Sequence, residues 1–486
     1  MFKFTLDSLD RVYTPHLRRR KMNQNITQNP GSFRDPMGYV YEKNSRIYRV
    51  IQEVGREQYE LLSKTIIHQA MTEGYLIPSQ ELQPHEWPFK KINIAYVLEH
   101  QRIPYISYPY EWSFYYLKDA AIHHINFQLF LLKRNMILKD ASAYNIQFIG
   151  AKPMFIDFLS LAPYHPGAYW IGHRQYCEQF LNPLLLRSML GISHNHWFRG
   201  RLEGIATSDI ARILPTHKKI NWKIFTHVLL QNYLDQLAIK NQDRAILKAK
   251  NQKAFSKLAY EGLLTSTKKW IDNLKPKNTK KTLWGEYAHI NTYHHDEVFK
   301  KKQFIIDFTN AIKPKILIDL GCNSGDYSIL SLENGAEYVI GFDCDQTALD
   351  IAYCRAKRSI KPFLPLYLDV ANPSPDQGWL QSERPGFATR TKADALIALA
   401  FIHHLVIAKN VPFCQLINWL VDIAPQGVIE FIPKEDPTII TMLSLREDIF
   451  IDYDQANFES LLKNRTKILR QETISKTGRT LYWYKR

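Results

Sequence analysis

Apolar and polar positions alternate with one rhythm in the first half of the chain and another in the second. From Met37, GYVYEKNSRIYRVI alternates at period two and predicts a hairpin with its turn at Lys43-Asn44-Ser45. Glu57 to Glu73 has helical spacing, and Ile92–Ser113 reads as two further strands joined at Glu99–Arg102. Phe114–Asn135 repeats apolar residues at Leu117, Ala121, Ile125, Leu129 and Leu132, one face of a helix. Short strands around Asn145–Phe148 and Pro153–Ile156 follow, then mostly helical segments from His173 to Leu274. This mixture of hairpin-like strands and helices is read as an α+β region.

Past KPKNTKK (Lys275–Lys281) strand and helix alternate regularly. KILIDL, EYVIGFD, FLPLYLDV, ADALIALA and GVIEFIP are apolar runs separated by helical stretches, and a closing strand pair lies near Lys467–Glu472 and Thr480–Tyr484. Strands this apolar are buried on both faces, which predicts a parallel sheet flanked by helices. The expected organisation is a basic arm over 1–35, an α+β domain over 36–274, a basic linker or lid over 275–300, and an α/β domain over 301–486 with a Rossmann-like, seven-stranded sheet.

Composition adds two points. The net charge of +16 falls wholly on residues 1–300, because residues 301–486 carry 22 basic and 22 acidic side chains. The basic blocks Arg18–Lys21, Lys218–Lys223 and Lys275–Lys281 are read as solvated surfaces, with nucleic acid as a less favoured partner. The five cysteines are dispersed, with no CxxC pair and no Cys/His cluster at metal-ligand spacing, so reduced thiols are expected. MFKFTLDSLDRVY lacks the apolar core of a signal peptide, and no apolar run approaches the roughly 18 residues of a membrane span. A cytoplasmic location is the expectation.

ILIDLGCNSGDYS places a strand, a glycine turn and a helix start in succession, at the carboxyl edge where open α/β sheets bind ligands. Gly321 and Gly325 let backbone approach a ligand closely, and Asp319 is a candidate acceptor for an amine. Asp343 ends the second strand, where an acid can hold both hydroxyls of a ribose. A nicotinamide fingerprint wants a central glycine, whereas this turn reads G-C-N-S-G. That turn, GFDCDQTALDIA, LYLDV and ALIALAFIHHL occur in order and resemble the landmarks of class I S-adenosylmethionine-dependent methyltransferases. The resemblance implies S-adenosylmethionine as cofactor, with Asp319, Gly321, Asn323, Gly325, Asp343, Cys344, Asp369, Val370 and Ala398 around it.

Methyl transfer is an in-line displacement at a sulfonium carbon, so the protein mainly aligns the acceptor and sometimes takes its proton. No N/D-P-P-Y/F follows the fourth strand, unlike the amino-methylases of adenine or glutamine. His403 and His404 stand at the sheet edge as candidate general bases, or else pack beneath the cofactor. Trp284, Tyr287 and Tyr293 are candidates for a lid or acceptor contact, with Glu430 at the end of the fifth strand. A small-molecule, glycan or lipid-linked acceptor is expected ahead of RNA.

MILKDASAYNIQFIGAKPMFIDFLSL (Met136–Leu161) sets Asp140 and Asn145 five apart in a loop and delivers Asp157 from a strand. This resembles the catalytic loop and metal-binding Asp of protein-kinase-like and aminoglycoside-kinase-like folds, which implies ATP and a magnesium ion on Asn145 and Asp157 if that site is active. The sequence departs from the pattern: no Gly-rich phosphate loop precedes it, Arg49 stands where a Lys is expected, Lys139 precedes the Asp, and Leu159 follows Asp157-Phe158. The plainer reading has Asp140 and Asn145 fastening a tight loop. Together YPYEWSF, LKDASAYNIQF and DLGCNSGDYS resemble a bacterial nodulation-protein-like methyltransferase family.

Overall fold

The computed structural model describes residues 26–88, 93–168, 170–233, 236, 256–277, 295–444 and 446–486. Most of the expected arm and linker, with Trp284, Tyr287 and Tyr293, lies outside the described residues. The chain forms two compact units, one from the stretch up to Arg56 with Ser79–Arg102, the other from Glu57–Pro78 with Ile103–Arg486.

The smaller unit is an antiparallel sheet of β1 (Ile26–Gln28), β2 (Gly38–Lys43), β3 (Arg46–Gln52), β4 (Ser79–Leu82) and β5 (Ile94–His100), in the order β1-β2-β3-β5-β4. β2 and β3 close on Asn44 (φ 50°) and Ser45 (φ 63°). Two consecutive left-handed residues make the turn whose twist suits a hairpin. Tyr41, Tyr48, Val50, Leu82 and Val97 form its core.

The expected second strand after β5 does not form. Residues 103–113 run irregularly through a short 3-10 turn at Pro109–Glu111. Pro104 and Pro109 have no backbone donor for a ladder. The segment's polar groups are met by side chains instead: Ser107 N donates to Gln147 Oε1 at 3.0 Å, and Tyr108 N to Glu111 at 2.8 Å.

In the larger unit the helix Phe114–Leu132 is buried around most of its circumference. Its polar residues are therefore satisfied internally: Lys118 Nζ donates to the carbonyls of Asp272 and Leu274, and Gln128 donates to the Tyr260 hydroxyl. Two small hairpin-like pairs follow: β6 (Met136–Leu138) with β9 (Leu161–Pro163), and β7 (Ile146–Ile149) with β8 (Lys152–Phe155).

Seven strands make the large sheet: β10 (Ile316–Leu320), β11 (Tyr338–Asp343), β12 (Phe363–Tyr367), β13 (Ala395–Ala398), β14 (Gln426–Phe431), β15 (Lys467–Thr473) and β16 (Thr480–Lys485). Their order is β12-β11-β10-β13-β14-β16-β15. β10 to β14 are parallel, and β16 inserts antiparallel beside β14. The direction of strand addition reverses between β10 and β13, which opens a ligand crevice at the carboxyl end of β10. Phe304, Ile305 and Phe308 of the helix His295–Ile312 pack on the sheet against Leu317, Val339 and Val428. Among the described residues no helix is long and apolar enough to cross a membrane.

Candidate functional site

The turn after β10 is built from three left-handed residues within five: Gly321 (φ 77°), Asn323 (φ 48°) and Gly325 (φ 84°). At Gly325 a Cβ would lie 2.4 Å from the Phe363 ring, so only glycine fits. Gly321 is exposed, which leaves its backbone open to a ligand. Asn323 N donates to Asp343 Oδ2 and Asp345 N to Asp343 Oδ1, both at 2.8 Å. With the Cys344 amide also bearing on it, the carboxylate still keeps acceptor capacity to spare. Burial, opposed by these backbone donors, pushes Asp343 up to about 6.

Asp319 is turned inward, 2% exposed, and accepts from Ser328 Oγ at 2.5 Å. It ties the strand to the following helix, Asp326–Glu333, and does not present its carboxylate at the surface of the turn. Burial lifts it to about 7 against the pull of Ser328, with Asp343 adding to the rise. Cys344 is exposed and pushed up to about 11, chiefly by desolvation and the neighbouring Asp343. Asp369 and Val370 lie half-buried beyond β12, and Ala398 ends β13.

Where the chain leaves β13, Ala400 has φ 48° and donates its N–H to Glu430 at 2.7 Å. Glu430 is fully buried and also receives the Lys301 ammonium at 2.6 Å. It therefore braces the loop from behind. His403 is 0% exposed, both its ring nitrogens lack a partner among the described residues, and its ring centroid lies 3.9 Å from that of the half-buried His404. Burial, then His404, Arg479 and Lys301, holds His403 well below the ordinary imidazole range; burial holds His404 down to about 4. Both rings are neutral at pH 7.

The sequence reading missed a second wall. The helix Asn195–Gly200 stands beside the carboxyl edge of the sheet: Gln346 donates to Asn195 at 2.9 Å, His196 is hydrogen-bonded to the Tyr367 hydroxyl at 3.0 Å, and Arg199 donates to Asn372 O at 2.6 Å. Asn195, His196, Arg199, Tyr367 and Asn372 line one small pocket with Tyr110, Glu111 and Asp369. The run NHWFRG carries no recognised motif, and its partners at the sheet edge lie 151 to 173 positions away, so only folding reveals it.

Asp140, Asn145 and Asp157 also converge. Asn145 Nδ2 donates to Asp140 Oδ2 at 3.0 Å, Ser142 N to Asp140 Oδ1 at 2.8 Å, and Ser160 Oγ to Asp157 Oδ2 at 2.5 Å. Burial, with Asp157 nearby, raises Asp140. The sequence shows no Cys/His cluster at metal-ligand spacing, but in the fold His173, Cys177 and His227 meet in space. The i,i+4 spacing of the first two was visible on a predicted helix, but His227 enters from a separate one.

No protein-family model matches the chain. Nodulation protein NoeA of Rhizobium meliloti (strain 1021) is 44% identical over 456 residues, covering 94% of this chain and 95% of that protein. Ribosomal protein L11 methyltransferase of Tolumonas auensis is 41% identical over 63 residues, 13% of this chain and 22% of that protein. Among solved structures, magnesium protoporphyrin IX methyltransferase from Synechocystis PCC 6803 with bound SAH aligns at 18% identity, over 40% of this chain and 89% of that one, with a TM-score of 0.29. N-methyltransferase NodS from Bradyrhizobium japonicum WM9 aligns at 10% identity, over 40% and 97%, with a TM-score of 0.30.

Proposed function

We propose that this chain, which belongs to the NoeA family of nodulation proteins and is an S-adenosylmethionine-dependent methyltransferase, methylates a small-molecule, glycan or lipid-linked acceptor recruited with the help of residues 103–274. The observation that carries this reading is the helix Asn195–Gly200 hydrogen-bonded to the carboxyl edge of the methyltransferase sheet. Residues outside the α/β domain thereby border its cofactor crevice, and their amide, imidazole and guanidinium groups suit a polar, hydroxyl-rich ligand.

When bound, S-adenosylmethionine supplies an electrophilic methyl group. The open backbone of Gly321 and the acceptor capacity of Asp343 fit its polar groups, and Asp369 would contact the adenine. Asp319 acts as a positioning residue beneath the turn. His404, the more accessible of the two histidines, is the side chain an acceptor proton can reach, and its neutral ring is in the proton-accepting form. His403 packs behind it. The test is transfer of radiolabelled methyl from S-adenosylmethionine into fractionated lysate. Label in a glycan, lipid or small-molecule fraction supports the reading; label confined to RNA or protein overturns its acceptor class.

A second reading, a bifunctional kinase–methyltransferase, rests on the convergence of Asp140, Asn145 and Asp157. Asn145 and Asp157 would then hold magnesium and Asp140 would orient a hydroxyl. Magnesium-dependent ATP binding lost in Asp157→Ala supports it; absence of such binding in the full chain refutes it.

A further inference from the structure

His173 and Cys177 lie one turn apart on the helical run 173–190, and His227 projects from the π-helix Phe225–Leu230. His173 Nε2 is 3.1 Å from His227 Nδ1 and 3.6 Å from Cys177 Sγ, and the three ligand atoms all lie within 4.8 Å of one another. Cys177 and His227 are buried. The Trp170 indole stands edge-on to His173, and Trp270 lies beside His227, which fixes both imidazoles in a largely apolar surround.

Two physical arguments favour a cation here. The first is size. With Zn–N near 2.0–2.1 Å and Zn–S near 2.3 Å, tetrahedral geometry puts N···N at about 3.3 Å and N···S at about 3.5 Å. The two observed separations are close to those edges. The second is proton inventory. A ring nitrogen carries either one proton or one lone pair, so His173 Nε2 cannot make a full hydrogen bond to both neighbours at once. One cation receiving three lone pairs satisfies all three atoms.

We propose that His173, Cys177 and His227 bind a borderline transition-metal ion of the Zn²⁺ class, with water at the fourth position. Two imidazoles and one thiolate suit such an ion better than magnesium or calcium, which prefer oxygen. Among the described residues no fourth His, Cys, Asp or Glu joins the group. The ion ties the 225–230 helix to the 173–190 run. Gln175 and Gln179 on that run accept the Ala141 and Ala143 amides at 2.9 and 2.8 Å, so the metal steadies the loop that carries Asp140 and Asn145.

The test uses the full chain, freed of metal by chelation, in a Cys344→Ser/Cys414→Ser background so that the exposed thiols contribute nothing. Titration with Co²⁺ should reach one equivalent and give a thiolate-to-cobalt charge-transfer band with tetrahedral d–d absorption, both displaced by Zn²⁺. Cys177→Ser should abolish the charge-transfer band. His227→Gln should weaken Co²⁺ binding beyond the roughly 10–100-fold that loss of an outer-shell partner brings. No band in the parent, or a band that survives Cys177→Ser, overturns the proposal. If either variant unfolds by circular dichroism, the parent's band and its one-to-one stoichiometry decide.

Discussion

Glu111 and Arg390 form a buried ion pair across 279 residues of sequence, joining the segment after β5 to the start of the region before β13. The guanidinium also lies over the Tyr105 and Tyr108 rings, 4.9 and 4.4 Å from their centroids, and donates to the Ile106 carbonyl. Burial raises the Glu111 pKa, and Arg390 opposes the rise. Removing one partner strands the other charge without water. Arg390→Ala should therefore cost on the order of 3–5 kcal/mol, while Glu111→Leu with Arg390→Met should cost much less. Chemical denaturation of the two single variants and the double variant checks the coupling.

In the role proposed for Asp343, its ionised form accepts ribose hydroxyls, so cofactor affinity should depend on pH; burial pushes its pKa up to about 6. S-adenosylhomocysteine affinity should hold from pH 8 to 7 and fall as pH drops through about 6. Asp343→Ala should weaken binding by roughly 10–100-fold, about the worth of one or two charge-assisted hydrogen bonds. Calorimetric titration of both proteins between pH 5 and 8 measures it; equal affinities would remove Asp343 from the ribose.

Asp319 predicts the opposite sign in stability. Its folded pKa, about 7, lies above its ordinary value of 3.8, so the folded state holds a proton that the unfolded state has released. Stability falls as pH rises from about 4 to 7, and the loss is complete above that window. Asp319→Asn keeps an acceptor for Ser328 and removes the charge. It should raise apoprotein stability at pH 8 by on the order of 1–4 kcal/mol, with the gain vanishing below pH 4. Melting curves of both proteins across pH 4–8 give the answer.

Local signals and distant pairings were legible to different degrees. The Asn44-Ser45 turn and the strand at 316–320 announce themselves through neighbours a few residues away. The glycine turn was equally open, because Gly321 and Gly325 meet a need that only backbone geometry creates. Asp319 was read as an acceptor facing a ligand, whereas it turns inward to Ser328, a choice that depends on how the next helix packs. The extra strand expected in 103–113 failed because alternation reports two unlike faces and does not guarantee a sheet partner. Lys301 left a readable sign: with Phe304, Ile305 and Phe308 it occupies one helical face, where a charge must find a partner. That the partner is Glu430, on a strand 129 residues away, was not readable.

The Lys301–Glu430 pair connects core packing to the site. Burial works to lower the lysine pKa, but the Glu430 carboxylate outweighs it and holds Lys301 raised. Glu430 in turn accepts the Ala400 amide, whose residue sits at φ 48°, a strained value for alanine that the bond helps to hold. Lys301→Met leaves the Glu430 carboxylate buried without its ammonium partner, so it should pull in water or shift out of the core. Either response loosens the loop carrying Phe401, His403 and His404. A stability loss of about 3–5 kcal/mol is expected. Glu430→Gln keeps an acceptor for Ala400 and should retain S-adenosylhomocysteine binding better than Glu430→Leu, which keeps none. Denaturation curves and calorimetry on the three variants separate the two roles. If Gln and Leu at 430 bind the cofactor product equally, Glu430 serves the core alone.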